Sequence, residues 1–110
     1  MLIELFLIAV QAVSQPQMAQ ADQLNGQFVT CLFGTARQAR ERSEPAARFA
    51  AELDTSCRSE EMALRAAMRH VLVQRGLSKT AKAKIDEVIH QSRQAVVVAY
   101  ERASSQAQWR

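Results

Sequence analysis

The sequence predicts an all-α protein: a three-helix up-down-up bundle, its first two helices stapled by a disulfide, after an N-terminal signal peptide. Three observations lead there. Only 3 Gly and 2 Pro occur while 48% of residues are hydrophobic, a composition that suits packed helices and disfavours disorder or an all-β fold. Apolar residues return every three or four positions along most of the chain. The two cysteines, Cys31 and Cys57, flank a break at Ser43-Glu44-Pro45 at nearly equal distances. With 110 residues, one domain is the ceiling.

Residues 1–21 read as the signal peptide. Leu2 to Val13 is an apolar run of about a dozen residues, the length of a signal h-region and short of a comfortable bilayer span. Pro16 is expected to break this helix. Ala19 and Ala21 then put small residues where a signal peptidase reads, which places cleavage after Ala21. No Lys or Arg precedes the run and Glu4 sits inside it, so an uncleaved anchor or a packed N-terminal helix is the alternative. Export implies a periplasmic or secreted protein in an oxidising compartment, where two cysteines pair.

The domain proper spans 22–110. Its first helix is expected at 22–42, with Asp22 as N-cap and Leu24, Phe28, Cys31, Thr35 and Ala39 on one face. Val29 and Phe33 form a second apolar ridge on the same helix. Such a helix needs two neighbours: either the third helix covers this ridge, or a dimer or protein partner does.

A second helix is expected at 44–75, with Ser43 as N-cap and Pro45 in the first turn. Phe49, Leu53, Cys57, Leu64, Met68 and Val71 make its inner face. Asp54-Thr55-Ser56 are weak helix formers that allow a kink, or a fresh start at Ser59. Cys31 lies twelve residues before Ser43 and Cys57 fourteen after it. At the helical rise both thiols stand ~18–21 Å from the turn, so an antiparallel hairpin brings them to one height.

Gly76 reads as the C′ residue, and Ser78 as the cap of a third helix over 78–104. Its inner face reads Ile85, Val88, Ile89, Ser92, Ala95, Val96, Ala99 and Ala103. The tail 105–110, with Trp109, is expected to fray.

Chemistry is sparse. There is no C-x-x-C, glycine-rich phosphate loop or nucleophile elbow in the sequence. His70 sits near a helix end, where an imidazole suits the dipole. Asp86 and His90, four apart, can share a helical face and hold a metal or orient an imidazole; the plainer reading is a solvated pair. Glu61 and Arg65 read as a surface ion pair. No catalytic set, cofactor or metal centre emerges. A net charge of +3 falls short of a nucleic-acid-binding surface.

Lys79, Lys82 and Lys84 crowd the start of the third helix, the end where the dipole disfavours cations. They offer a weak contact to an anionic envelope surface or an acidic partner, unless Asp86 and Glu87 neutralise them. The stretch LSKTAKAKI lacks both the threonine and the glutamine of the Leu-Thr-x-x-Gln signature of helical periplasmic chaperones, so no family residues are carried over. The expectation is therefore a non-enzymatic interaction or chaperone-like protein of the periplasm, working through its surface. A membrane-anchored subunit keeping its N-terminal helix comes next, and a metal-dependent enzyme built on Asp86 and His90 last.

Overall fold

Asp54-Thr55-Ser56 divide the expected second helix, so four helices form instead of three. In a computed structural model, residues 2–108 are described, with side chains from 18 to 106; Trp109 lies outside. The helices are α1 (Leu2–Glu41), α2 (Ala46–Leu53), α3 (Arg58–Gln74) and α4 (Ala81–Gln108). No strand occurs among the described residues.

The break between α2 and α3 has a local cause. The Thr55 and Ser56 hydroxyls both donate to the Glu52 carbonyl, at 3.2 and 2.8 Å, competing with the backbone N–H groups that would prolong the helix. Cys57 then adopts the left-handed conformation, φ 61°, and α3 starts at Arg58. Cys57 thus sits at a helix junction and not on the face of a continuous helix.

Other boundaries shift for similar reasons. α1 continues through Pro16, where a break was expected, and through Asp22, the expected cap. A proline costs one hydrogen bond and a clash with the preceding turn, which a long helix propagating on both sides can absorb. Ser43 ends α1 and does not cap α2. It takes φ 52°, its N–H donates to Arg40 O at 3.0 Å, and Glu44 N–H donates to Ala39 O at 3.0 Å. That is the paired pattern of a Schellman end. Gly76 closes α3 in the same way: φ is 77°, Gly76 N–H reaches Val73 O and Leu77 N–H reaches Leu72 O. Residues 78–80 form a turn, so α4 begins at Ala81 and not at Ser78. It runs to Gln108, past the expected end at Ser104.

Direction follows from contacts. Cys57, just before α3, meets Cys31 of α1, while Arg75 beyond the other end of α3 reaches Met18. α3 therefore runs against α1. Glu61 pairs with Arg93 and Arg65 with Asp86, so α4 runs against α3.

The core is a single cluster. Phe28, Leu32, Ala36 and Ala39 come from α1, Phe49 and Leu53 from α2, Leu64 from α3, and Ile85, Ile89, Val96 and Tyr100 from α4. The α4 face is rotated from the predicted one: Ala95 and Ala99 are exposed and Tyr100 is buried. Its ring stacks on Phe49 at 4.2 Å between centroids, and its hydroxyl donates to the Glu44 carbonyl. Burying that ring removes far more apolar surface from water than two alanine methyls would.

Candidate binding groove

Small side chains on α4 leave a groove against α1. Ala99 and Ala103 carry nothing beyond Cβ, so the space beside them is filled by neither helix, and Ala36, Val96 and Tyr100 form its floor. The hollow measures about 510 Å³. It adjoins a second of about 910 Å³ around the Ser43–Pro45 turn, and the two share Arg40, Tyr100 and Ala103.

Phe33 stands on the rim with 45% of its surface exposed. Phe28 and Leu32, one turn earlier and one residue back on α1, are wholly buried. The second ridge is thus only partly covered: Val29 is half-buried and Phe33 is not enclosed. Arg37 and Arg40 line the same wall, both exposed. Neither side chain makes a hydrogen bond or ion pair among the described residues. Among the described residues, a small apolar floor thus lies beside an exposed phenyl and two guanidiniums that have no side-chain partner.

The lysines lie elsewhere. Lys79 is in the turn before α4, and Lys82 and Lys84 are in its first turn, all exposed. The charge of Lys82 acts on Asp86, as the sequence suggested, although the carboxylate's hydrogen bond goes elsewhere. Asp86 accepts from Arg65 at 2.7 Å, and Glu87 accepts from Gln91 at 3.2 Å. Asp86 is therefore turned to Arg65 and not to His90, which is exposed and shares no hydrogen bond with it. The hydrogen bond from Arg65 holds the Asp86 carboxyl below its ordinary range.

Cys31 and Cys57 lie at bonding distance, S–S 2.08 Å with Cα atoms 6.0 Å apart. The Glu60 carboxylate comes within 4.8 Å of both sulfurs. Sulfurs bonded to each other offer no thiolate, the form of cysteine that ligates metals.

Arg93 escaped the sequence reading. Its Nε donates to Leu53 O at 3.0 Å, and one terminal nitrogen serves both Ser56 O at 3.1 Å and Glu61. Its guanidinium also lies 5.3 Å from the Phe28 ring centroid. Glu61 in turn accepts from Arg65 at 2.7 Å, the expected i,i+4 pair. Burial pushes the Glu61 carboxyl up, but hydrogen bonds from Arg65 and Arg93 and their charges outweigh it, so it titrates below its ordinary range. The signal was present: Arg93 falls in register with Ile89, Val96 and Tyr100, a cation inside an apolar stripe.

No family model, curated protein or solved structure matches this chain.

Proposed function

We propose that this chain is an exported, non-enzymatic interaction protein, chaperone-like in the sense that it engages other proteins through its surface in the periplasm or outside the cell. In this reading α2 and α3 are one interrupted leg of an up-down-up bundle, preceded by a signal peptide cut after Ala21. The observation that carries it is the groove, with Phe33 exposed beside Arg37 and Arg40, whose side chains have no partner among the described residues. Exposed aromatic and arginine side chains around an apolar hollow are the common material of protein recognition.

Export has its own support. Cys31 and Cys57 stand at disulfide distance, which fits an oxidising compartment. Among the described side chains the core and its partly buried lining begin at Leu24, so cutting after Ala21 removes none of them. Among the described residues, no helix is long and apolar enough to cross a membrane. One observation favours the second reading, an N-terminal helix kept in place: α1 is continuous through Pro16, and Arg75 reaches back to Met18.

The test takes the protein from its native cells. Fractionation and intact mass should give an envelope or secreted chain starting at Asp22 with no free thiol. A photo-crosslinker at Phe33 should join it to another protein. A cytoplasmic, unprocessed chain that joins nothing from any surface position would end this reading.

A further inference from the structure

Resting on the interaction reading, we propose that the α1–α4 groove receives an amphipathic helix of a partner protein, its apolar face flanked by carboxylates that pair with Arg37 and Arg40.

Shape selects the occupant. The groove wall on α1 runs from Phe33 to Glu41, ~12 Å or about two helical turns. It is a channel open to solvent along one side. A helix needs only one face covered, and its residues at i, i+3, i+4 and i+7 would meet the alanines and the Phe33 ring. An acyl chain in such a channel would keep much of its length in water, whereas small-molecule sites bury most of their ligand.

Charge selects the flanks. Arg37 and Arg40 are three apart, so they project from neighbouring positions on one side of α1. Glu41 is the one carboxylate of this wall, leaving the rim net positive. A second copy meeting the same face in an isologous pair would bring four arginines together with only two Glu41 carboxylates, leaving that interface net positive. A strand of acidic residues on a partner helix removes that conflict and orients the helix, since complementary charge acts mainly on orientation and encounter rate.

The test uses the oxidised full-length protein and two labelled helical peptides of about eighteen residues, five turns. Both carry leucines at i, i+3, i+4 and i+7; one is flanked by glutamates and the other by lysines. In fluorescence anisotropy the glutamate peptide should bind at least tenfold more tightly. Arg40→Glu should reverse that preference, and Phe33→Ser should weaken both peptides about tenfold; circular dichroism checks that each variant stays folded. Equal binding of the two peptides, no binding of either, or a preference unmoved by both Arg37→Glu and Arg40→Glu overturns the proposal. So does laurate binding that Phe33→Ser abolishes while the peptides fail, or self-association in sedimentation that the same change removes. Crosslinking of a native partner at Lys82, with the groove inert to both peptides, rejects the groove and spares the interaction reading. Absence of any partner at either position rejects both.

Discussion

Nε of Arg93 donates to the backbone carbonyl of Leu53 at 3.0 Å, so a side chain of α4 closes the C-terminus of α2. The last carbonyls of a helix have no intrahelical partner; Leu53 lies at such an end and Ser56 in the turn that follows it. The same guanidinium answers Ser56 and Glu61, tying the α2–α3 junction to α4 at a point where Phe28 of α1 also packs. Four helices meet on one residue.

Arg93→Met keeps the length and the apolar stem but leaves the Ser56 carbonyl without its partner, the Leu53 carbonyl with the Ser56 N–H alone and the Glu61 carboxylate with Arg65 alone. One orphaned acceptor costs ~1–3 kcal/mol, and the charge-assisted hydrogen bonds lost beside it add to that, so urea unfolding should show a loss of about 2 kcal/mol or more. Arg93→Lys should recover only a small part, because an ammonium on a single stem cannot serve three acceptors as a planar fork does. A loss below ~1 kcal/mol in Arg93→Met would mean the junction closes without this residue.

The cysteine pair links α1 to that same junction across a sequence separation of 26. Closing a loop of this size lowers unfolded-state entropy enough to add ~3–4 kcal/mol in the chain-entropy model. Cys57→Ser should therefore lower the unfolding free energy measured by urea titration by that amount. Digestion without reductant should yield a peptide linking Cys31 and Cys57. Free thiols, or a link between two chains, would remove the constraint on the junction.

Acid should weaken the fold through Glu61 and Asp86. Both carboxyls titrate below their ordinary values of 4.5 and 3.8. A depressed folded pKa gives stability that is fully present above the unfolded value and lost as pH falls through the folded one. Unfolding free energy should thus hold from pH 7 to about 5 and decline below about 4. In Glu61→Gln the decline should be shallower, because that proton no longer binds. An unchanged slope would show that the Arg65 and Arg93 contacts to Glu61 do not shift its titration.

Much of the fold was legible because periodicity reports burial. Phe28, Phe49, Leu53, Leu64, Ile85, Ile89 and Val96 were all placed inside from spacing alone, and all are buried. Gly76 was legible because few other residues take positive φ without cost. What escaped depends on partners distant in sequence. Tyr100 is inside because Phe49 and the Glu44 carbonyl await it, and Arg93 because two helix-end carbonyls do. Ser43 was misplaced since serine serves as an N-cap far more often than it takes the left-handed position it holds here. At the groove, the sequence marked Phe33 through its excess ridge. It did not single out Arg37 and Arg40 from the charges around them, since the lack of side-chain partners for them among the described residues is a property of the surrounding fold.

Ser43 itself offers a stabilising change. Its φ of 52° closes α1 in a conformation that a Cβ disfavours by ~1–2 kcal/mol. Ser43→Gly keeps both Schellman hydrogen bonds and relieves that cost, while adding unfolded-state freedom that offsets part of it. A net gain of ~0.5–1 kcal/mol is expected in thermal or urea unfolding. A loss would indicate that the serine hydroxyl contributes something the backbone does not.

Phe28 and Phe33 differ by five positions on α1 and should differ sharply in their effect on stability. Phe28 is fully enclosed by core and guanidinium, whereas Phe33 keeps 45% of its surface in water. Phe28→Ala should cost ~3–5 kcal/mol, the range for emptying a packed aromatic site. Phe33→Ser removes surface that is only partly withdrawn from solvent, so its cost should stay near ~1 kcal/mol. Circular dichroism melting of the two variants separates them directly. Comparable losses would mean that Phe33 is a core residue and that the ridge beside Val29 is closed by α4. A near-silent Phe33→Ser would leave an aromatic ring whose burial the monomer does not require, which is the outcome the proposed partner contact expects.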